Sequence, residues 1–224
     1  MLTNIARLVA TQAHTGQVRK YTNEPYINHP LRVAQWLSEF NVGELIEAGA
    51  ICHDVIEDTG VGYNALELTV GTPVADLVLE VTNLEFPEGT SRATKFWNNV
   101  VKLVRASHQA QTLKCGDVVD NCKDIYDLDP SRAPRYIAEK FILVRLFTRA
   151  QGDVRAATIN LLSSVYSQMS DGHRIYCLDF IQQLERECPD ELLIHLHNAS
   201  VEANAHDGCT LRIGDEYGTT TSSI

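Results

Sequence analysis

Residues 48–58 of the chain read AGAICHDVIED, and this stretch is the strongest local signal in the sequence. Its first five residues are apolar or small, and its last six include one histidine, two aspartates and one glutamate. At helical spacing Asp54 and Asp58 lie one turn apart on one face, with Glu57 beside them. A helix that leads from a core into such a cluster needs something to compensate the charge. A divalent cation does so, because imidazole and carboxylates together suit Mn²⁺, Fe²⁺ or Zn²⁺.

A second His-Asp pair, at residues 206–207, provides an internal comparison. It lies in a polar, glycine-flanked segment with no Glu-Asp pair after it, so we expect a loop there. The first pair differs because two further segments with candidate metal ligands accompany it. PYINHP (25–30) places a histidine at a helix start, and KCGDVVDN (114–121) places an aspartate inside a helix with Asn121 one turn further on. Three separated segments together predict one metal site.

The apolar periodicity predicts an all-α fold. Apolar residues recur at three- and four-residue steps from Leu2 to Ala13, as one buried helix face requires. Gly16 ends that helix, and a polar loop follows to Asn28. Before residue 208 no stretch of alternating apolar and polar residues is long enough to predict a β-strand. TLRI (210–213) is a candidate short strand. Further helices are predicted over 29–40, 42–56, 63–70, 73–83, 91–107, 110–126, 131–150, 153–168 and 175–187.

Composition and length favour a soluble globular protein of one main domain. The chain has 224 residues, 44% hydrophobic and 21% charged, which is ordinary for a globular protein. No window reaches the roughly 18 apolar residues of a membrane span, and no secretory signal pattern opens the sequence. Six cysteines without a C-x-x-C pair indicate reduced thiols rather than disulfides. We therefore expect a cytoplasmic protein with no membrane partner.

The net charge of −10 disfavours a nucleic-acid binder, which usually presents a basic face. It does not exclude an anionic small molecule, because a metal and a few local cations can reverse the field inside one cleft. The expected partner is therefore an anionic small molecule and not a nucleic acid.

Four segments resemble the hydrolase domain of RelA/SpoT-type alarmone enzymes, within the HD superfamily. The resemblance spans roughly residues 1–150, and it is closest to the small stand-alone hydrolases that lack a synthetase domain. It implies an HD-domain helical bundle that hydrolyses ppGpp (guanosine 3′-diphosphate 5′-diphosphate) to GDP and pyrophosphate. The segments are AHTGQVRKYTNEPYINHPLRVA (13–34), HDVIEDTG (53–60), VADLVLEVTNLE (74–85) and AQTLKCGDVVDN (110–121).

The resemblance also implies a role for individual residues. One Mn²⁺ is expected at the metal site, with Fe, Co and Zn as alternatives. Glu57 and Asp58 match the catalytic pair that positions and activates the attacking water. Arg19 matches a base-stacking arginine, Lys20 a cation near the substrate, and Asn121 a ribose contact. The implied metal ligands are His29, His53, Asp54 and Asp117.

At three positions the sequence departs from the family pattern, and these departures allow substrates other than ppGpp. Gly116 stands inside a helix, where glycine costs about 1 kcal/mol relative to alanine, and allows either close packing or a reshaped pocket. Val118 removes a cation that the alarmone enzymes often carry, and Asp120 adds a negative charge. The alternatives are another nucleotide, such as NADPH at its 2′-phosphate or a (deoxy)nucleotide, and a catalytically silent nucleotide-binding regulatory module.

The predicted organisation has three parts. Residues 1–155 form the metal-dependent hydrolase domain, 156–206 form a helical extension packed on it, and 207–224 form a partly disordered, flexible tail. The residues beyond the resemblance either cover the cleft, build a homo-oligomer interface or have no recognisable role.

Overall fold

A computed structural model describes residues 1–193 of the chain, and every regular element in this range is helical. One isolated antiparallel bridge joins Val18 to Pro25 in the loop after the first helix. The all-α prediction is therefore confirmed. The helices are α1 (Leu2–Ala13), α2 (Asn28–Ser38), α3 (Glu44–Cys52), α4 (Val55–Asp58), α5 (Tyr63–Val70), α6 (Thr72–Val81), α7 (Arg92–Arg105), α8 (His108–Cys122), α9 (Ile125–Leu128), α10 (Ala133–Arg145), α11 (Gly152–Gln168) and α12 (Asp171–Arg186).

The helix predicted over 42–56 is broken, and the break falls at His53 and Asp54. Helix α3 ends at Cys52 and α4 begins at Val55. Asp54 has φ −96° and ψ −3°, in the bridge region that many active-site residues occupy. The His-Asp pair therefore lies at a corner between two helices, not within the last turns of one.

Several further helix boundaries differ from the predicted ones. Helix α10 ends at Arg145, whereas the predicted helix continued to residue 150. Helix α12 begins at Asp171 rather than at residue 175, because the Ser170 side chain caps it by accepting from the His173 backbone N–H. The predicted helix over 110–126 ends at Cys122 in α8, and the short α9 follows separately.

Helices α3 and α8 form the centre of the bundle. Helix α3 packs against α1, α2, α6 and α8, and its residues from Ala48 to Cys52 are buried. In α8 every residue from Ala110 to Asp120 is buried. Three of these buried residues are charged and lie three positions apart, which places them along one stripe of the helix. They are Lys114, Asp117 and Asp120.

Gly116 lets α8 approach α2 closely. A Cβ atom at this position would lie 2.8 Å from Leu37 Cγ and 3.1 Å from Val33 Cγ1. Both side chains belong to the fully buried core. Of the two explanations for this glycine, close packing is the one that the structure supports. Val118 is also fully buried in the core.

The helices after α9 pack back on the bundle, since α11 contacts α8 and α12 contacts α10. The boundary proposed near residue 155 stays a prediction. The candidate strand over 210–213, the second His-Asp pair and the tail that was predicted over 207–224 lie outside the described residues. Five of the six cysteines lie within residues 1–193, where they are free and buried. Within the same residues no helix combines the length and the apolar character that crossing a membrane requires.

Replacing Gly116 with alanine should destabilise the protein. The added methyl group overpacks the α2–α8 contact, which typically costs about 1–3 kcal/mol, and alanine's better helix propensity offsets about 1 kcal/mol of this. Chemical denaturation would measure the free energy of unfolding. Gly152→Ala is the control, because a Cβ there meets nothing within 4 Å. Equal stabilities of the two variants would contradict the close contact.

Candidate active site

Four of the predicted residues converge on one point between α2, α8 and the α3–α4 corner. His29 lies in the first turn of α2, and Asp117 lies in the middle of α8. The His29 Nε2 atom is 3.2 Å from Asp117 Oδ1, and His53 Nε2 is 3.1 Å from Asp54 Oδ1. One donor atom each of His29, His53 and Asp54 lies within 4.8 Å of the others. His53 Nε2 is also 3.5 Å from Asp117 Oδ1, which brings the fourth residue to the cluster.

The chemistry of these donors fits a divalent cation. His53 Nδ1 lies 2.8 Å from the carbonyl oxygen of Ala50, so in the neutral ring the proton belongs on Nδ1. Its Nε2 is buried and has no hydrogen-bond partner, although it faces Asp54 and Asp117. A lone pair directed at two carboxylates and a second imidazole is the arrangement of a metal ligand.

The charged groups of the cluster shift one another's pKa values. Burial alone would lower the pKa of His53, but the neighbouring Asp54 and Asp117 carboxylates raise it to about 10. The pKa of Asp54 is lowered, since His53 outweighs the opposing effect of burial. Without a metal the two carboxylates therefore draw a proton onto His53, and a cation supplies the same positive charge.

Asp117 has two further partners on α8. Lys114 Nζ lies 2.8 Å from Asp117 Oδ2, and both side chains are nearly buried. The Asn121 amide donates to Asp117 Oδ1 at 2.5 Å. Burial would lower the pKa of Lys114, but Asp117 raises it. Lys114 therefore stays charged and holds one oxygen of Asp117 in place.

The acidic pair of α4 lies at the exposed edge of the cluster. Glu57 accepts from the Asn83 backbone N–H at 2.9 Å and from its amide at 2.7 Å. The Tyr26 hydroxyl lies 2.7 Å from both Asp58 Oδ2 and Asp54 Oδ2. Burial, Asp54 and Glu57 raise the pKa of Asp58. Both carboxylates are thus held by partners from outside their own helix.

A cleft of about 540 Å³ opens beside the cluster, and Arg19, Lys20 and Asn121 are among its lining residues. Arg19 Nη2 donates to Asn121 Oδ1 at 2.8 Å. Because Asn121 also donates to Asp117, a continuous chain of hydrogen bonds joins the cleft to the cluster. The cleft is therefore joined through Asn121 to Asp117, one of the four converging residues.

Three cations of this cleft each lie over a tyrosine ring. The distances to the ring centroid are 5.7 Å for Arg19 over Tyr26, 4.9 Å for Lys20 over Tyr21 and 5.4 Å for Arg132 over Tyr136. Within residues 1–193 none of these cations forms a salt bridge with a carboxylate. In a chain of net charge −10, the cleft is locally basic and suits an anion.

Sequence reasoning assigned no firm role to Tyr26 and Lys114, and it treated Asp120 only as an added charge. Asp120 Oδ2 in fact accepts from His29 Nδ1 at 2.7 Å. The three-residue spacing of Lys114, Asp117 and Asp120 was the signal available, since it places all three on one face of α8. Arg92 forms a bidentate pair with Glu139 and does not line the cleft.

Three further histidines within residues 1–193 have partners other than the four converging residues. The buried His14 lies within hydrogen-bond distance of Gln17 and stacks on Tyr26. His108 bonds the carbonyl of Arg149, and His173 lies 3.2 Å from the Tyr126 hydroxyl. The histidines at residues 195, 197 and 206 lie outside the described residues.

The chain belongs to the HD domain family, whose model matches residues 6–141. It is 34% identical over 137 residues to the bifunctional (p)ppGpp synthase/hydrolase SpoT of Escherichia coli K12, covering 60% of this chain and 19% of that protein. It is also 34% identical over 125 residues to the guanosine-3′,5′-bis(diphosphate) 3′-pyrophosphohydrolase MESH1 of Danio rerio, covering 54% of this chain and 67% of that protein. The chain thus spans about a fifth of SpoT and two thirds of MESH1.

Solved structures agree with the fold. A metazoan ortholog of SpoT, described as hydrolysing ppGpp and acting in starvation responses, has a TM-score of 0.52 and 21% sequence identity, with 81% of this chain and 94% of that chain covered. A protein from Listeria monocytogenes EGD-e has a TM-score of 0.52 and 20% identity, covering 66% and 100%.

Replacing Lys114 with methionine should destabilise the metal-free protein by about 3–5 kcal/mol, because Asp117 then stays buried without its cation. Unfolding in EDTA would measure this loss. Lys123→Met is the matched control: Lys123 also pairs with an aspartate three residues away on α8 but is partly exposed, so a loss below about 1 kcal/mol is expected. Similar losses would show that Lys114 does not balance a buried charge.

Proposed function

We propose that this chain is a metal-dependent phosphohydrolase that removes the 3′-pyrophosphate of ppGpp and releases GDP and pyrophosphate. The observation that carries the proposal is the hydrogen-bonded chain from the four converging residues through Asn121 to Arg19, because it joins a metal-type cluster to a basic cleft. The choice of ppGpp as the substrate depends on the names of the relatives, since both SpoT and MESH1 are described as acting on this guanosine nucleotide.

His29, His53, Asp54 and Asp117 are the proposed metal ligands, and Mn²⁺ is the proposed metal. Two imidazoles and two carboxylates form a mixed nitrogen and oxygen set that suits Mn²⁺, with Fe, Co and Zn as alternatives. When bound, such a cation polarises the phosphoryl group and makes water a competent nucleophile near neutral pH.

Glu57 and Asp58 are the proposed catalytic residues. Both are exposed at the mouth of the cluster, so their carboxylates are accessible to a water molecule and a phosphate ester. Asn83 orients Glu57 through two hydrogen bonds, and each oxygen keeps a free lone pair that can accept a proton. Tyr26 fixes Asp58 relative to Asp54. We assign the proton acceptor to Glu57 and the positioning of the water to Asp58.

Arg19, Lys20 and Asn121 are the proposed substrate-binding residues. A guanidinium is planar and both stacks on aromatic faces and binds phosphate oxygens, and Arg19 already lies over an aromatic ring. Lys20 and Arg132 add two cations on the same cleft, and within residues 1–193 neither forms a salt bridge with a carboxylate. A nucleotide with several phosphates matches this combination of tyrosine rings and positive charge.

The departures at positions 116 and 118 do not weaken this proposal. A Cβ at Gly116 would point at Leu37 and Val33, and Val118 is fully buried in the core. Neither position lines the cleft, so neither removes a cation from the substrate. The charge of Asp120 is neutralised by Arg32 and Lys123.

The test of the proposal is turnover with Mn²⁺ of ppGpp, NADPH and a set of deoxynucleoside triphosphates in parallel. We expect pyrophosphate and GDP from ppGpp, and no reaction in EDTA. Phosphate release from NADPH or a deoxynucleotide without reaction of ppGpp would move the assignment to the other substrate. A protein that turns over none of them and gains no thermal stability with Mn²⁺ would instead be a silent regulatory module.

Replacing Glu57 and replacing His53 should have different effects. Glu57→Ala removes the proton acceptor, so the rate should fall by about 10²-fold or more while Mn²⁺ still binds. His53→Ala removes a ligand, so metal binding and turnover should be lost together. Calorimetric Mn²⁺ titration with steady-state kinetics separates the two, and Glu39→Ala on an exposed helix end is the control. A fully active Glu57→Ala variant would overturn the role of Glu57.

A further inference from the structure

We infer that Asp120 is a positioning residue that fixes His29 as a metal ligand and raises the affinity of the site for its metal. This inference rests on the proposed metal site and adds to it a residue outside the ligand set. Asp120 follows Asp117 by three residues on α8, so both carboxylates reach His29 from the same helix, one on each ring nitrogen.

The two nitrogens of His29 face different partners. Nε2 lies 3.2 Å from Asp117 Oδ1 and 3.6 Å from Asp54 Oδ2, inside the cluster. Nδ1 lies 2.7 Å from Asp120 Oδ2, on the opposite side of the ring. An ionised carboxylate only accepts hydrogen bonds, so the Nδ1 proton is the one that Asp120 holds. The neutral ring then presents the lone pair of Nε2 to the cluster, as a metal ligand must.

Asp120 is itself held rigidly. Its Oδ1 accepts from Arg32 Nε at 2.8 Å and from Lys123 Nζ at 2.7 Å. Its Oδ2 accepts from Arg32 Nη2 at 3.0 Å as well as from His29. Arg32 is anchored in turn by Glu24 in the loop before α2, at 2.9 Å. Four donors on two oxygens leave the carboxylate one orientation, and with it the His29 ring.

The negative charge matters as well as the position. Arg32 and Lys123 form salt bridges with Asp120 at 2.8 Å and 2.7 Å, and its side chain is buried. Two cations beside one carboxylate favour its ionised form. A carboxylate on the far nitrogen makes an imidazole a more basic ligand. His53 differs here, because its Nδ1 faces only the neutral carbonyl of Ala50.

The test replaces Asp120 with asparagine and measures Mn²⁺ affinity by competition with a fluorescent chelator. An amide offers one acceptor oxygen where four donors converge, and its NH₂ group faces other N–H groups. We expect the dissociation constant to rise by about 10–100-fold, the usual effect of losing such a partner. Asp124→Asn is the matched control, since Asp124 is an exposed aspartate lining the same cleft. Its affinity should stay within about twofold of the wild type.

A second measurement needs no substitution and covers a variant that fails to fold. Long-range ¹H–¹⁵N correlation spectra of the metal-free wild-type protein report which nitrogen of a neutral histidine carries the proton. We expect the proton of His29 on Nδ1, and a proton on Nε2 would overturn the inference. Wild-type affinity in Asp120→Asn would also overturn it while leaving the proposed function intact. A wild-type protein that binds no Mn²⁺ would overturn both.

Discussion

The constraint on which this molecule depends is the burial of charge along α8. This helix is covered on all sides from Ala110 to Asp120, yet it carries a lysine and two aspartates in that stretch. Charges in such a place must be paired or bound to a metal. Two of the neighbouring elements supply part of the pairing. Helix α2 brings His29 and Arg32, and the α3–α4 corner brings His53.

The same constraint explains why the cluster is built from residues that also pack in the core. Asp117 meets two histidines on one side and Lys114 on the other. Its nearest neighbours along the helix, Gly116 and Val118, belong to the packed interior. One turn of helix thus serves both packing and chemistry. The cleft lined by Arg19 and Lys20 is joined to this turn through the hydrogen bonds of Asn121.

Much of this was predictable from the sequence, because the decisive signals are local. Apolar periodicity gave the helices, and α5 matches its predicted limits of 63–70. The His-Asp and Glu-Asp pairs, with an upstream histidine and a downstream aspartate, predicted which residues gather, while their individual roles stay predictions. The break at His53 was missed because the apolar run before it favours a continuous helix. Asp120 was misjudged because its partner His29 lies 91 residues away along the chain.

The close approach of α8 to α2 at Gly116 has a consequence for the geometry of the cluster. Gly116 directly precedes Asp117, and the residues it contacts, Val33 and Leu37, lie one and two turns beyond His29 on α2. A side chain at position 116 would push the two helices apart, since a Cβ there would lie 2.8 Å from Leu37 Cγ. The distance between His29 and Asp117 therefore depends on a residue that carries no donor atom of its own.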